Sequence, residues 1–157
     1  MPTTTPCLWF DRQAKEAADF YVSVFPRSRI TALTHYGPGM PVPEGTVLTV
    51  AFELDGRGYT ALNGGPHFSF SPAISFVVEC ADQAKVDHYW HHLSAYPEHE
   101  QCGWVKDKFG VSWQIVPKAM LDMLQHPDAA GRQRAMVAMM GMKKLDIAAL
   151  QRAFDGR

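Results

Sequence analysis

The tripeptide Gln-Ala-Lys occurs twice, at residues 13–15 and 83–85, and each copy sits at the same place in the same succession of local signals. That succession constrains the fold. Before the first copy stands the apolar run Cys7-Leu-Trp-Phe10, and after it Ala14, Ala17, Ala18, Tyr21 and Phe25 fall at three- and four-residue steps, the mark of a helix with one buried face. Before the second copy stands Ile74-Ser-Phe-Val-Val-Glu79, a strand, and after it Val86, Tyr89, Trp90 and Leu93 trace a second such helix. Asp11 and Asp82 are placed to cap the two helices, and Pro26 ends the first. A duplicated strand–helix unit follows.

Paired strands complete each unit. In the first, Arg29 to Tyr36 is a strand, Gly37 to Gly45 a loop rich in Gly and Pro, and Val47–Leu54 with Tyr59–Asn63 a hairpin turning at Asp55-Gly56-Arg57-Gly58. In the second, Gly103-Trp-Val-Lys106 and Val111–Val116 flank the turn Asp107-Lys-Phe-Gly110. The seam between units is Asn63-Gly64-Gly65-Pro66, where the glycines permit unusual backbone angles and Pro66 cannot donate to a ladder. The expected division is therefore 1–66, a β-α-β-β-β module; 67–117, a second module; and 118–157, a helical tail. Six of the eight methionines lie in that tail, which ends on a helix begun by Asp146 and carrying Ile147, Leu150 and Phe154. Such a stripe fits packing against the domain or a second subunit.

Charge and length exclude several classes. A net charge of -1 without a basic run argues against nucleic acid, and nothing approaches the roughly 20 apolar residues of a membrane span. Cys7, Cys80 and Cys102 are too far apart for a paired zinc or disulfide pattern and read as reduced thiols. The expectation is a cytoplasmic protein with a small-molecule partner.

Leu8-Trp-Phe-Asp11 with Ala17-Ala-Asp-Phe-Tyr21, Ala61-Leu-Asn-Gly-Gly-Pro66, Gln101-Cys-Gly-Trp104, Lys106-Asp-Lys-Phe-Gly-Val-Ser-Trp-Gln-Ile-Val-Pro117 and Met142-Lys-Lys-Leu-Asp-Ile147 together resemble the PhnB-like group of the vicinal oxygen chelate superfamily. Glyoxalase I, bleomycin-resistance proteins and extradiol dioxygenases belong to the same superfamily. The resemblance implies an α+β fold in which two β-α-β-β-β modules form a curled, half-open mixed sheet, usually in a homodimer. Metal-using relatives hold a divalent ion there as a Lewis acid. Members are often labelled 3-demethylubiquinone-9 3-methyltransferase, yet no Gly-rich loop joins a first strand to a helix here, as a nucleotide-type cofactor would need.

The resemblance also locates candidates. The position of the relatives' last-strand Glu ligand is Gln114, and the corresponding places near Pro6 or Cys7, Ala61 to Asn63 and Ala73 to Ser75 supply no His or carboxylate. No metal and no cofactor is therefore expected. Asn63, Gln101, Ser112 and Gln114, with walls from some of Trp9, Tyr59, Phe68 and Trp104, would suit a small, partly apolar ligand, and a metal-dependent glyoxalase or dioxygenase-type enzyme is the alternative. His67 follows the Gly-Gly-Pro break, a place where an acid, base or ligand could act, or it is a surface-loop histidine. Cys102 is a reactive thiol only if a neighbouring base lowers its pKa. His88, His91 and His92 share helical spacing and read first as a solvated face. No catalytic residue is assigned.

Overall fold

The computed structural model describes residues 1–157, in two compact units, Met1–Phe70 and Ser71–Arg157. In the first unit, β1 (Cys7–Phe10) is followed by α1 (Ala14–Val24), β2 (Arg29–His35), β3 (Val47–Leu54) and β4 (Arg57–Asn63). The sheet order is β1-β4-β3-β2, with β1 parallel to β4 and the other pairs antiparallel. α1 lays Ala14, Ala17, Ala18, Tyr21 and Val24 on β3 and β4. Three small alanines let its backbone come close, and Tyr21, Phe52 and Tyr59 stack at 6.1 and 5.4 Å between successive ring centroids.

The hairpin turns on two residues, not four. Asp55 and Gly56 both have positive φ, 48° and 80°, a pairing whose twist matches that of antiparallel strands and which Asp-Gly favours.

Asp11 does not cap α1. The helix starts at Gln13 with no cap from its own neighbourhood, and Asn63 Oδ1 accepts the Ala14 N–H at 2.8 Å from the end of β4. Parallel pairing of Phe10 with Asn63 puts that amide beside the start of α1, so a distant residue supplies what a local one was expected to. Asp82 does cap the second helix, accepting from Lys85 N at 2.9 Å.

In the second unit, β5 (Ser75–Cys80), α2 (Gln83–Leu93), β6 (Trp104–Lys106) and β7 (Ser112–Pro117) repeat the order, with β7 central, parallel to β5 and antiparallel to β6. A 3-10 turn, Pro97–His99, stands where the first unit has β2. A proline in this short segment cannot donate to a ladder. α2 buries Val86, Tyr89 and Leu93 against a sheet face that includes Val78, Val105, Trp113 and Ile115.

Three helices follow, α3 (Lys118–Leu124), α4 (Ala129–Met140) and α5 (Ile147–Asp155). Val116, Met120, Met123, Ala135, Leu145 and Leu150 form one core, so the tail is built onto the end of β7. Gln83 fastens it: Nε2 donates to Asp87 and to the Leu145 carbonyl, both at 3.1 Å, while Oε1 accepts the Ile147 N–H at 2.9 Å. Lys144 completes the fastening on Asp87 at 2.8 Å.

That contact has a pH signature. Hydrogen bonds from Lys144 and then Gln83 hold the Asp87 carboxyl below its ordinary value of 3.8. A depressed folded-state pKa contributes stability above the unfolded value and loses it as pH falls through the folded one. The chain should therefore lose stability more steeply below about pH 4 than Asp87→Asn does, with the two curves parallel above pH 5, as urea midpoints across pH would report. Parallel curves throughout would remove Asp87 from the account.

Candidate functional site

Strand pleating sorts the side chains of the second sheet. Register places Trp104, Gln114 and Val77 in one row and Lys106, Ser112 and Ser75 in the next, all on the face away from α2. Gln114 is half-buried and donates from Nε2 to Ser75 Oγ at 3.0 Å. Beside it Val77 is 59% exposed and the Trp104 indole half-buried, while Ser112 is buried. An amide, two hydroxyls, an indole and an isopropyl group thus share a few square nanometres of sheet.

The face toward α2 is structural. Asp107, with no exposed surface, accepts from Phe109 N and Val111 N through Oδ1 at 2.9 and 3.0 Å, and from Trp113 Nε1 through Oδ2 at 2.8 Å. This carboxylate organises the turn between β6 and β7 and fixes the Trp113 ring. Sequence reasoning read Asp107 as a turn residue and missed this role; an Asp opening a turn that ends in Gly was the only local signal.

Other candidates are committed within their units. Tyr59 and Asn63 lie on the α1 face of the first sheet, Tyr59 in the aromatic stack and Asn63 with its Nδ2 donating to the Val47 carbonyl at 3.0 Å. Burial raises the Tyr59 hydroxyl pKa, an effect opposed by Arg57. Trp9 lies on the opposite face, with Nε1 donating to the Gly65 carbonyl at 2.9 Å and its ring edge-on to Phe68 at 5.0 Å. A Cβ on Gly64 would overlap that ring, so Gly64 is required for space. Gly65 is required for its φ of 96°. His67 is exposed in the loop that follows.

Gln101 and Cys102 face the tail. Gln101 Nε2 donates to the Met140 carbonyl at 3.0 Å and lies 3.2 Å from Cys102 Sγ, while the backbone N–H groups of Cys102 and Gly103 bond Met142 and Lys143 carbonyls, each at 2.8 Å. The arrangement stitches the approach to β6 onto the α4–α5 connection. Cys80 is buried, and burial with Asp82 and Glu79 pushes its thiol up to about 11, so it stays protonated at neutral pH.

The superfamily's metal does not fit these residues. No group of three or more His, Cys, Asp or Glu side chains is arranged to hold an ion, and the two sheet rows contribute an amide, hydroxyls and an ammonium instead.

A family model described as 3-demethylubiquinone-9 3-methyltransferase matches residues 2–116. The chain belongs to that family. Among solved structures, the PhnB protein from Bacillus cereus, whose description carries the same methyltransferase name, is 33% identical with a TM-score of 0.63, covering 74% of this chain and 99% of its own. Protein PA1353 from Pseudomonas aeruginosa, at 16% identity and a TM-score of 0.57, covers 74% of this chain and 98% of its own and shares the fold. No curated protein matches the chain. The chain has the α+β fold that the resemblance implied, with two mixed sheets that are not closed. The family match ends at β7, so α3 to α5 lie beyond it. No helix is long and apolar enough to cross a membrane.

Proposed function

We propose that this chain binds a small, partly apolar molecule on the open face of its second sheet, through Gln114, Ser112 and Trp104, without the superfamily's metal. The observation that carries this reading is the Gln114–Ser75 hydrogen bond beside exposed Val77. Amide and hydroxyl are held in place, both half-buried and both with donor or acceptor capacity beyond this one bond, beside an exposed apolar side chain. Trp9, Tyr59 and Asn63 hold β1 and β4 of the first unit, Gln101 and Cys102 hold the approach to β6, and His67 is not part of the proposed site.

Native mass spectrometry should find a retained organic mass that Gln114→Ala loses while keeping its fold. Purified protein should carry no stoichiometric nickel, zinc, iron or manganese, and Gln114→Glu should gain at most weak metal binding, since one carboxylate cannot replace three or four donors. About one metal per subunit, released by Gln114→Ala, would sink the metal-free reading. Methyl transfer is no part of the proposal, because β1 runs into α1 through Asp11-Arg12-Gln13 without a Gly-rich loop. Saturable S-adenosylmethionine binding in calorimetry would contradict this.

Homodimerisation belongs to the same reading. Met136, Val137 and Met140 on α4 are 42%, 60% and 62% exposed, an apolar strip suited to a second copy. Sedimentation at micromolar concentration should give twice the 17.5 kDa chain mass; monomer alone would refute it. Three free thiols fit the reducing cytoplasm, a placing that cell fractionation would check.

A further inference from the structure

Lys106 was outside every ligand set drawn from the sequence, yet it occupies the row next to Gln114, directly opposite Ser112, with Ser75 one strand further. It forms no ion pair. Glu100, a carboxylate on the approach to β6, is taken by Ser94 Oγ at 2.7 Å and by Lys143 at 3.9 Å, and Asp107 points to the opposite face, where its oxygens are satisfied by Trp113 and the turn. The Lys106 ammonium lies instead 5.5 Å from the centroid of the Tyr96 ring, at the margin of the face. A cation over an aromatic ring is held only weakly, so the side chain can swing inward without breaking a salt bridge.

Given the binding reading above, on which this rests, we infer that the ligand is a small organic acid whose single carboxylate is received by Lys106, Ser75, Ser112 and the Gln114 amide. Strands are about 4.8 Å apart and same-face neighbours along a strand about 7 Å, so Ser75, Ser112 and Lys106 span about 10 Å in one row with Gln114 beside it, a patch that a lysine side chain can reach across. Ammonium and amide N–H only donate, hydroxyls do either, and a carboxylate only accepts. Its apolar body would lie over Val77 and the Trp104 indole, one row on. Phosphate is a poorer fit, because one ammonium with no arginine fork and no Gly-rich backbone cradle does not match a dianion. Glu79, the carboxylate on this face, stands four residues along β5 from Ser75, about 13 Å away, where it closes the far end of the site to negative charge.

Calorimetric titration of the full chain with benzoate, its uncharged counterpart benzamide, and inorganic phosphate tests this. Benzoate should bind about tenfold tighter than benzamide, and phosphate more weakly than either. Lys106→Met should remove the benzoate advantage, weakening benzoate far more than benzamide, and Lys106→Arg should restore most of it. Equal affinity for benzoate and benzamide, or benzoate binding indifferent to Lys106→Met, overturns the acid inference while leaving the neutral site intact if Gln114→Ala still weakens benzamide. Phosphate competing as well as benzoate overturns the apolar body. Failure of all three probes overturns the inference outright, whereas a retained organic mass lost in Gln114→Ala would still uphold the broader reading.

Discussion

Replacing Asp107 with alanine is expected to cost about 4 kcal/mol, the largest loss from any single polar side chain in the molecule, because three buried or half-buried donors lose their acceptor at once. The thermal midpoint should fall by roughly 10 °C. Asp107→Asn keeps one acceptor oxygen and should lose about half as much, since its NH2 group meets a donor where the second oxygen stood. Urea unfolding of both variants reads these losses directly. If Asp107→Ala lost less than about 1 kcal/mol, water would be replacing the carboxylate and the turn would owe its order to Gly110.

Gly64→Ala should be the second most damaging change, at about 3 kcal/mol. The indole of Trp9 occupies the space a Cβ would need, and it cannot simply rotate away, because it is bonded to the Gly65 carbonyl and packed against Phe68. A double-mutant cycle isolates the cause. In a Trp9→Ala background, Gly64→Ala should cost less than about 1 kcal/mol, the remainder appearing as coupling between the two sites. Additive losses would mean that Gly64 matters for its backbone and not for the ring above it.

Much of the fold was legible because its signals are local. β3 falls at Val47–Leu54 as the alternation implies, and Asp82 and Asp146 cap the helices they precede, each accepting from an N–H three residues on. Asp11 misled because the cap of α1 comes from Asn63, 49 residues from Ala14, and no window along the chain contains both. The 3-10 turn at Pro97–His99 took the place of a strand for a local reason, a proline in a short segment, that was visible but not weighed.

The candidate site was legible in composition but not in facing. Strand alternation puts Gln114 and Ser112 on one side of β7, but five of the six residues of that strand are buried, on both sides, so its own pattern does not tell which side carries the site. Tyr59 and Asn63 were grouped with Trp9 as parts of one site, whereas the parallel pairing of β1 with β4 turns them to opposite faces. Lys106 was not among the candidates, and its lack of a carboxylate partner is a property of the folded chain.

The two faces of β7 also differ in how freely they can change. Trp113 and Ile115 are locked by the helix above and by Asp107, so substitution there is resisted by packing before any chemistry is tested. Gln114, between them in sequence, is half-buried, bonds Ser75 and stands beside the exposed Val77. A strand built this way separates inheritance of the scaffold from inheritance of its reactivity. Amide, carboxylate or hydroxyl can be exchanged at residue 114 in single steps, each leaving a folded protein, so one scaffold can reach new ligands without first becoming unstable.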